Sequence, residues 1–277
     1  MADPRSWRRW RRIKIWIFEN LRKVVVPTLA LLIGFRIEGL EHVPRSGGAL
    51  VVSNHLHNAD PILLVAAYPR PLLWMAKKEV FGVPVISWIA RQAGAFPVDR
   101  GTADRGALRQ AEGLLDEGLL VGVFPEGTRS TTGGIKSVYP GVALIALRSG
   151  VPILPTAIFG TEVLPFNGHK GRRRGRGRPR VTVRIGRPFE LPPRRAGEHR
   201  SDLASLTDLM MVEVARLLPE SYRGLYAERC ATVDVPGLAA PDSTVPAVEG
   251  QKAVTVADES AGADHGSARA SREISDR

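Results

Sequence analysis

Two short segments hold the residue types that acid–base chemistry needs. The first is Asn54-His55-Leu56-His57-Asn58-Ala59-Asp60, directly after the apolar run Ala49-Leu50-Val51-Val52-Ser53. A continuous apolar run of this length reads as a buried strand. In open α/β sheets ligands bind beyond the carboxyl ends of strands, so a reacting group belongs where this segment lies. A histidine followed five residues later by an aspartate, as in His55 and Asp60, can form a dyad across a strand-to-helix turn. The carboxylate would hold one imidazole nitrogen and leave the other to accept a proton. Two other readings stand beside the dyad. His55 can merely cap the turn, and His55 with His57 can offer two metal ligands on one face. A metal site also needs donors converging from other strands. His42, His169, His199 and His265 fall away from strand ends, in charged loops or in the tail, so no metal is expected.

The second segment is Phe124-Pro125-Glu126-Gly127-Thr128-Arg129-Ser130, again behind an apolar run. Gly127 permits close backbone approach, and the planar fork of Arg129 suits a phosphate. Glu126 can orient Arg129 or the substrate. The plainer reading is a turn carrying a surface ion pair.

The elements that must position these segments follow from hydrophobic pattern and breakers. Phe35–Leu40, Ala49–Ser53, Pro71–Ala76, Ala95–Val98, Leu119–Phe124, Ile153–Phe159 and Val181–Ile185 read as strands. Asp60 and Pro61 open a helix, and further helices are expected over Pro84–Ala93, Ala103–Glu117, Tyr139–Ser149 and Ser201–Leu218. Gly118 and Gly150 stop two of them. Strands alternating with helices indicate the α/β class, with a central mixed, largely parallel sheet flanked by helices.

Composition narrows the setting. The 277 residues carry a net charge of +11, which favours an anionic partner, and 44% hydrophobic residues, enough for a packed core. One cysteine, Cys230, excludes an internal disulfide. At the start, Trp7, Arg8, Arg9, Trp10, Arg11, Arg12, Lys14, Trp16 and Phe18 precede an apolar stretch from Val24 to Phe35. That stretch holds about a dozen residues, short of the roughly 20 that span a bilayer, and Pro27 interrupts it. Cations with tryptophan ahead of a short apolar segment suit an amphipathic helical anchor lying in the headgroup region. A basic helix packed on the protein's own core is the alternative. The organisation expected is an anchor over 1–34, a catalytic domain over 35–218 and a mostly disordered tail over 219–277, poor in large apolar groups.

The densest charge is Lys170–Arg180. Its Arg176-Gly177-Arg178-Pro179 is the core of a minor-groove-binding hook, which raises a nucleic-acid reading. A solvated loop facing an anionic surface needs fewer assumptions.

Taken in order, HxxxxD, GxxxxDR, FPEGTRS and VPxxP stand here as Asn54–Asp60, Gly94–Arg100, Phe124–Ser130 and Val151–Pro155. This series resembles the glycerolipid acyltransferase family, whose bacterial type member acylates 1-acylglycerol-3-phosphate. The similarity extends over roughly Gly34 to Leu218. It implies an enzyme of phospholipid biosynthesis that passes a fatty acyl group from acyl-CoA or acyl carrier protein to a lysophospholipid hydroxyl, making phosphatidic acid without a further cofactor. By the same resemblance His55 is the general base and Asp60 its partner. Arg100, Glu126, Gly127, Thr128 and Arg129 match positions linked to acceptor binding, and Lys77 matches a basic residue between the first two blocks. Backbone N–H groups near Gly127 are the expected oxyanion donors. Where the family commonly has serine this chain has His57, a second and less favoured candidate base. A peripheral or monotopic place on the cytoplasmic face of the membrane is the expectation that completes this reading.

Overall fold

A computed structural model of the chain describes residues 21–82, 87, 95–98, 104–165, 179–191 and 200–232. Helix α1 runs over 21–33, followed by β1 (Arg36–Glu38), β2 (Ala49–Ser53), α2 (Asp60–Ala67) and β3 (Leu72–Lys77). Then come β4 (Phe96–Val98), α3 (Arg105–Asp116), β5 (Leu120–Val123), α4 (Gly141–Ser149) and β6 (Ile153–Phe159). Strand β7 (Thr182–Ile185), helix α5 (Arg200–Leu217) and the short α6 (Arg229–Thr232) complete the series.

The strands form one seven-stranded sheet in the order β1-β7-β6-β2-β5-β3-β4. Every neighbouring pair is parallel except β6 with β7, so β4, β3, β5, β2 and β6 run one way. Their carboxyl ends therefore share one edge of the sheet. The expected mixed, largely parallel sheet is what forms. Strands β2, β5 and β6 are buried at every position, as continuous apolar runs require when both sheet faces are covered.

Alternate residues of these strands feed two cores. Leu50, Val52, Val121, Val123, Ile153 and Ala157 pack with Ala111 and Leu115 of α3, Ile145 of α4 and Met210 and Val214 of α5. Val51, Leu120, Leu154 and Ile158 pack on the other face with Leu63, Leu64 and Ala67 of α2, joined by Val26, Leu29 and Ile33 of α1. This is the two-residue strand period read out as two helical layers. Arg22 of α1 donates to the carbonyls of Ala66 (3.1 Å) and Ala67 (3.0 Å), capping the C-terminus of α2.

Boundaries moved where capping decides them. Helix α3 begins at Arg105 because the Asp104 carboxylate accepts from the N–H groups of Gly106 and Ala107, both at 3.0 Å. Helix α4 starts at Gly141 and ends at Gly150, whose left-handed φ of 61° breaks the ladder. The expected first strand is shorter than its apolar pattern, since Leu40–His42 turns into a 3-10 helix after Gly39. The helix expected over Pro84–Ala93 lies outside the described residues, apart from helical Ser87. So do residues 1–20 of the anchor, the arginine-rich loop over 166–178, and everything beyond 232. Among the described residues, no helix is long and apolar enough to cross a membrane.

The folded body also continues past Leu218, where a tail had been expected to begin. Tyr222 and Tyr226 are buried, and main-chain bonds join Ile135 N–H to Tyr222 (3.2 Å) and Leu225 N–H to Ile135 (3.1 Å). Two tyrosines supply the apolar burial that the composition of this stretch as a whole does not suggest.

Gly122 of β5 lies under the Trp74 ring, where an added Cβ would come within 2.7 Å of the indole. Gly122→Ala is therefore expected to destabilise the fold by about 1–3 kcal/mol through overpacking. Urea unfolding followed by tryptophan fluorescence would measure it, and an unchanged midpoint would show that the indole has room to move.

Candidate active site

Two of the loops at the shared carboxyl edge converge on His55. The β2–α2 loop folds back on the carboxylate of Asp60, the first residue of α2. Its Oδ2 accepts from the His55 Nδ1–H at 2.9 Å and from the N–H groups of Leu56 and His57, both at 2.6 Å. Asp60 is completely buried, and its Oδ1 has no hydrogen-bond partner among the described residues. Local bonding of an aspartate to nearby main-chain donors is what favours it at helix starts, and Pro61 in the first turn gives up no ladder bond. A carboxylate can only accept, so Nδ1 carries the proton and Nε2 is the nitrogen left to take one from a substrate. The imidazole stacks on Phe124 with 4.1 Å between centroids, and Phe124 stacks on Trp74 at 4.3 Å. Ring rotation is thus restrained by a carboxylate and an aromatic face together.

The β5 loop grips the main chain of the same histidine. Glu126 Oε1 accepts from the His55 N–H at 2.9 Å, and the Ser130 N–H donates to the His55 carbonyl at 2.7 Å. Glu126 Oε2 accepts from the Lys136 N–H at 3.1 Å. Ser130 Oγ in turn donates to the Gly134 carbonyl (2.7 Å) and accepts from the Gly133 N–H (2.9 Å), closing the loop on itself. Gly127 takes a φ of +64°, and its N–H closes a turn onto the Phe124 carbonyl at 3.0 Å. A side chain there would meet the Tyr139 ring at 2.6 Å. A turn thus claims the Gly127 N–H itself, while the expected oxyanion donors are N–H groups near Gly127 and not that one group.

The remaining predicted positions divide. Thr128 is exposed and Arg129 half-buried on the same loop. Arg129 is near enough to His57 for its charge to act on that ring. Lys77 ends β3 on the same sheet edge, half exposed, with its ammonium 3.0 Å from Glu79. Arg100 lies outside the described residues. His57 accepts from the Ala59 N–H at Nδ1 (2.9 Å) and donates from Nε2 to the Pro165 carbonyl (3.1 Å). Burial lowers its pKa, Arg129 adds to this, and Asp60 opposes it. With both nitrogens engaged by main chain, His57 is held as a brace for the loop.

Two contributors lie in the two segments read from sequence, which gives them no role there. Asn54, 1% exposed, donates to the Ile158 carbonyl (2.8 Å) and accepts from the Ile158 N–H (2.9 Å), so a side chain extends the β2–β6 ladder. Ser130 acts through its N–H, which no sequence pattern distinguishes from another. A buried polar residue directly after a buried strand was the available hint for Asn54, since such a group must be satisfied.

Burial raises the Glu126 carboxyl from 4.5 to about 7, against the lowering effect of the His55 and Lys136 N–H groups and the Lys136 charge; Asp60 adds to the rise. A folded value above the unfolded one means that the folded state binds the extra proton between these pH values. Stability from this group is therefore full below about 4.5 and lost as pH rises through about 7. The stability difference between wild type and Glu126→Gln should shift against wild type between pH 5 and 7.5, by on the order of 3 kcal/mol. Urea unfolding at both pH values measures it. A difference moving in wild type's favour would mean that the two N–H bonds outweigh burial.

The acyltransferase family model matches residues 34–159, which contain His55, Asp60, Phe124, Glu126 and Ser130. A 1-acyl-sn-glycerol-3-phosphate acyltransferase of Borreliella burgdorferi is 26% identical over 128 residues, 46% of this chain. The chain spans about half that protein's length, 51%. The 1-acyl-sn-glycerol-3-phosphate acyltransferase alpha of Ovis aries is 30% identical over 217 residues, covering 74% of this chain and 72% of the sheep protein. The crystal structure of the 1-acyl-sn-glycerophosphate (LPA) acyltransferase of Thermotoga maritima superposes with a TM-score of 0.55 and 25% identity. That match covers 85% of this chain and 86% of the other. With the sheep enzyme similar over most of both chains and the Thermotoga maritima structure sharing the fold, the chain belongs to the acyltransferase family.

Proposed function

We propose that the protein transfers a fatty acyl group from acyl-CoA or acyl carrier protein to the free hydroxyl of 1-acylglycerol-3-phosphate, forming phosphatidic acid. The observation that carries this reading is the 2.9 Å contact of His55 Nδ1 with Asp60 Oδ2 at the carboxyl edge of the sheet. The activity for which the relatives are named supports the choice of acceptor.

In this reaction the acceptor hydroxyl gives its proton to His55 Nε2 as its oxygen attacks the thioester carbonyl. Asp60 stabilises the imidazolium so formed. The C–S bond then breaks, and the thiolate takes the proton back from Nε2. No covalent acyl-enzyme is involved. Arg129 offers the acceptor phosphate a charged, bidentate donor, with Lys77 contributing positive charge at the same sheet edge and Arg100 a further cation by resemblance.

The acceptor is a lipid, and α1 offers a surface suited to one. Leu21, Val24, Leu31 and Leu32 are 57–72% exposed, and Ile62 of the neighbouring α2 is 51% exposed. With the cations and tryptophans of residues 1–20, this helix would lie in the headgroup region on the cytoplasmic face. The site would then draw its substrate from that leaflet.

His55→Ala should lower turnover with lysophosphatidic acid and an acyl thioester by about a hundredfold or more, with a cooperative melt retained. Retained turnover would reject the dyad. Arg129→Ala should raise KM for a phosphate-bearing acceptor about tenfold or more. A panel of glycerol-3-phosphate and other lyso-lipids, each with both donor types, would show whether another acceptor takes precedence. Joint replacement Leu31→Asp and Leu32→Asp should reduce co-flotation with anionic vesicles, and undiminished flotation would place the membrane contact elsewhere.

A further inference from the structure

The proton-transfer scheme leaves Glu126 without a task, yet the residue is only 2% exposed and sits beside the base. A ligand for a phosphate headgroup must reach solvent or a pocket, and a carboxylate would repel the phosphate. Both Glu126 oxygens instead meet main-chain donors, His55 N–H at 2.9 Å and Lys136 N–H at 3.1 Å. We infer that Glu126 is a positioning residue: it fixes the His55 imidazole by holding the His55 main chain, and it is not a ligand of the acceptor.

The geometry makes the role specific. The two peptide groups flanking the His55 Cα are held from one loop, by Glu126 on the N–H side and by the Ser130 N–H at 2.7 Å on the carbonyl side. Phe124 restrains the orientation of the ring, and Asp60 restrains it too while also holding the Leu56 N–H of the carbonyl-side peptide group. On the N–H side of the His55 Cα the Glu126 bond is therefore the side-chain hold. Without the Glu126 bond, the Cα that carries the ring is released on one side. Misplacement of a reacting group by about 1 Å can cost on the order of a hundredfold in rate. Burial contributes too, because a hydrogen bond to a desolvated carboxylate is worth more than one in water. Glutamine keeps the shape but has one acceptor oxygen, so its NH2 group would face one of the two N–H donors.

This inference rests on the acyl-transfer reading, and the test separates the two. Glu126→Gln would be assayed with 1-acylglycerol-3-phosphate and an acyl thioester, beside thermal melting and proton NMR of the His55 Nδ1–H, assigned by its loss in His55→Ala. The expected result is a kcat lower by about ten- to a hundredfold, a KM within about twofold, a cooperative melt and a displaced Nδ1 proton resonance. A raised KM with kcat retained would make Glu126 an acceptor ligand. Unchanged kinetics, or a kcat loss with the resonance unmoved, would also overturn the role. Should Glu126→Gln not fold, Glu126→Asp, one methylene too short to span both donors, takes the same measurements; failure of both to fold overturns the role in favour of a purely architectural one. A wild type with no transfer to any lyso-acceptor would defeat the acyl-transfer reading instead, leaving the resonance to decide on Glu126.

Discussion

Everything in this site depends on where one backbone segment, the main chain around His55, is held. An imidazole acts on a proton over hydrogen-bond distances, so tenths of an ångström in its placement matter. The protein meets that demand with two loops that divide the work. The β2–α2 loop restrains the ring and the N–H groups that follow it through Asp60 Oδ2, and the β5 loop holds the His55 N–H and carbonyl through Glu126 and Ser130. Neither loop would achieve this without a rigid base, which the buried strands β2 and β5 provide as parallel neighbours registered from Ala49 with Leu120 to Val52 with Val123.

Sheet direction explains why segments so far apart in sequence meet. His55 and Glu126 are 71 positions apart, but their strands are adjacent and end on one edge. The β6 strand on the other side of β2 contributes through Ile158, which receives the Asn54 side chain. The aromatic column from His55 through Phe124 to Trp74 then ties the site to β3. Three strands thus steady one imidazole by different means: a carboxylate, a carboxamide and a stack of rings.

Much of this was legible beforehand. Continuous apolar runs marked β2, β5 and β6, because strands covered on both faces leave no polar alternation to confuse the pattern. Asp60-Pro61 marked the start of α2 through helix-end chemistry that is local. What escaped was the non-local part. Which partner Glu126 would choose depends on strand order, and strand order is not written in any window of residues. The shortened β1 and the ordered Tyr222 and Tyr226 escaped for a related reason: tertiary burial overrode the local composition. His57 looked like a ligand or rival base, and only the carbonyl of Pro165, 108 positions away, shows it to be a brace.

The pairing of Ile135 with the stretch around Tyr222 and Leu225 has one more consequence. Lys136, next along the chain, anchors the far oxygen of Glu126, and Gly134 lies so close to Gly224 that a methyl group on it would come within 2.7 Å of the Gly224 Cα. The C-terminal turns are therefore a buttress for the loop that carries Glu126, not an appendage. A lesion there, remote from any substrate, would surface in an assay as slow chemistry and could easily be mistaken for damage to the reaction centre itself.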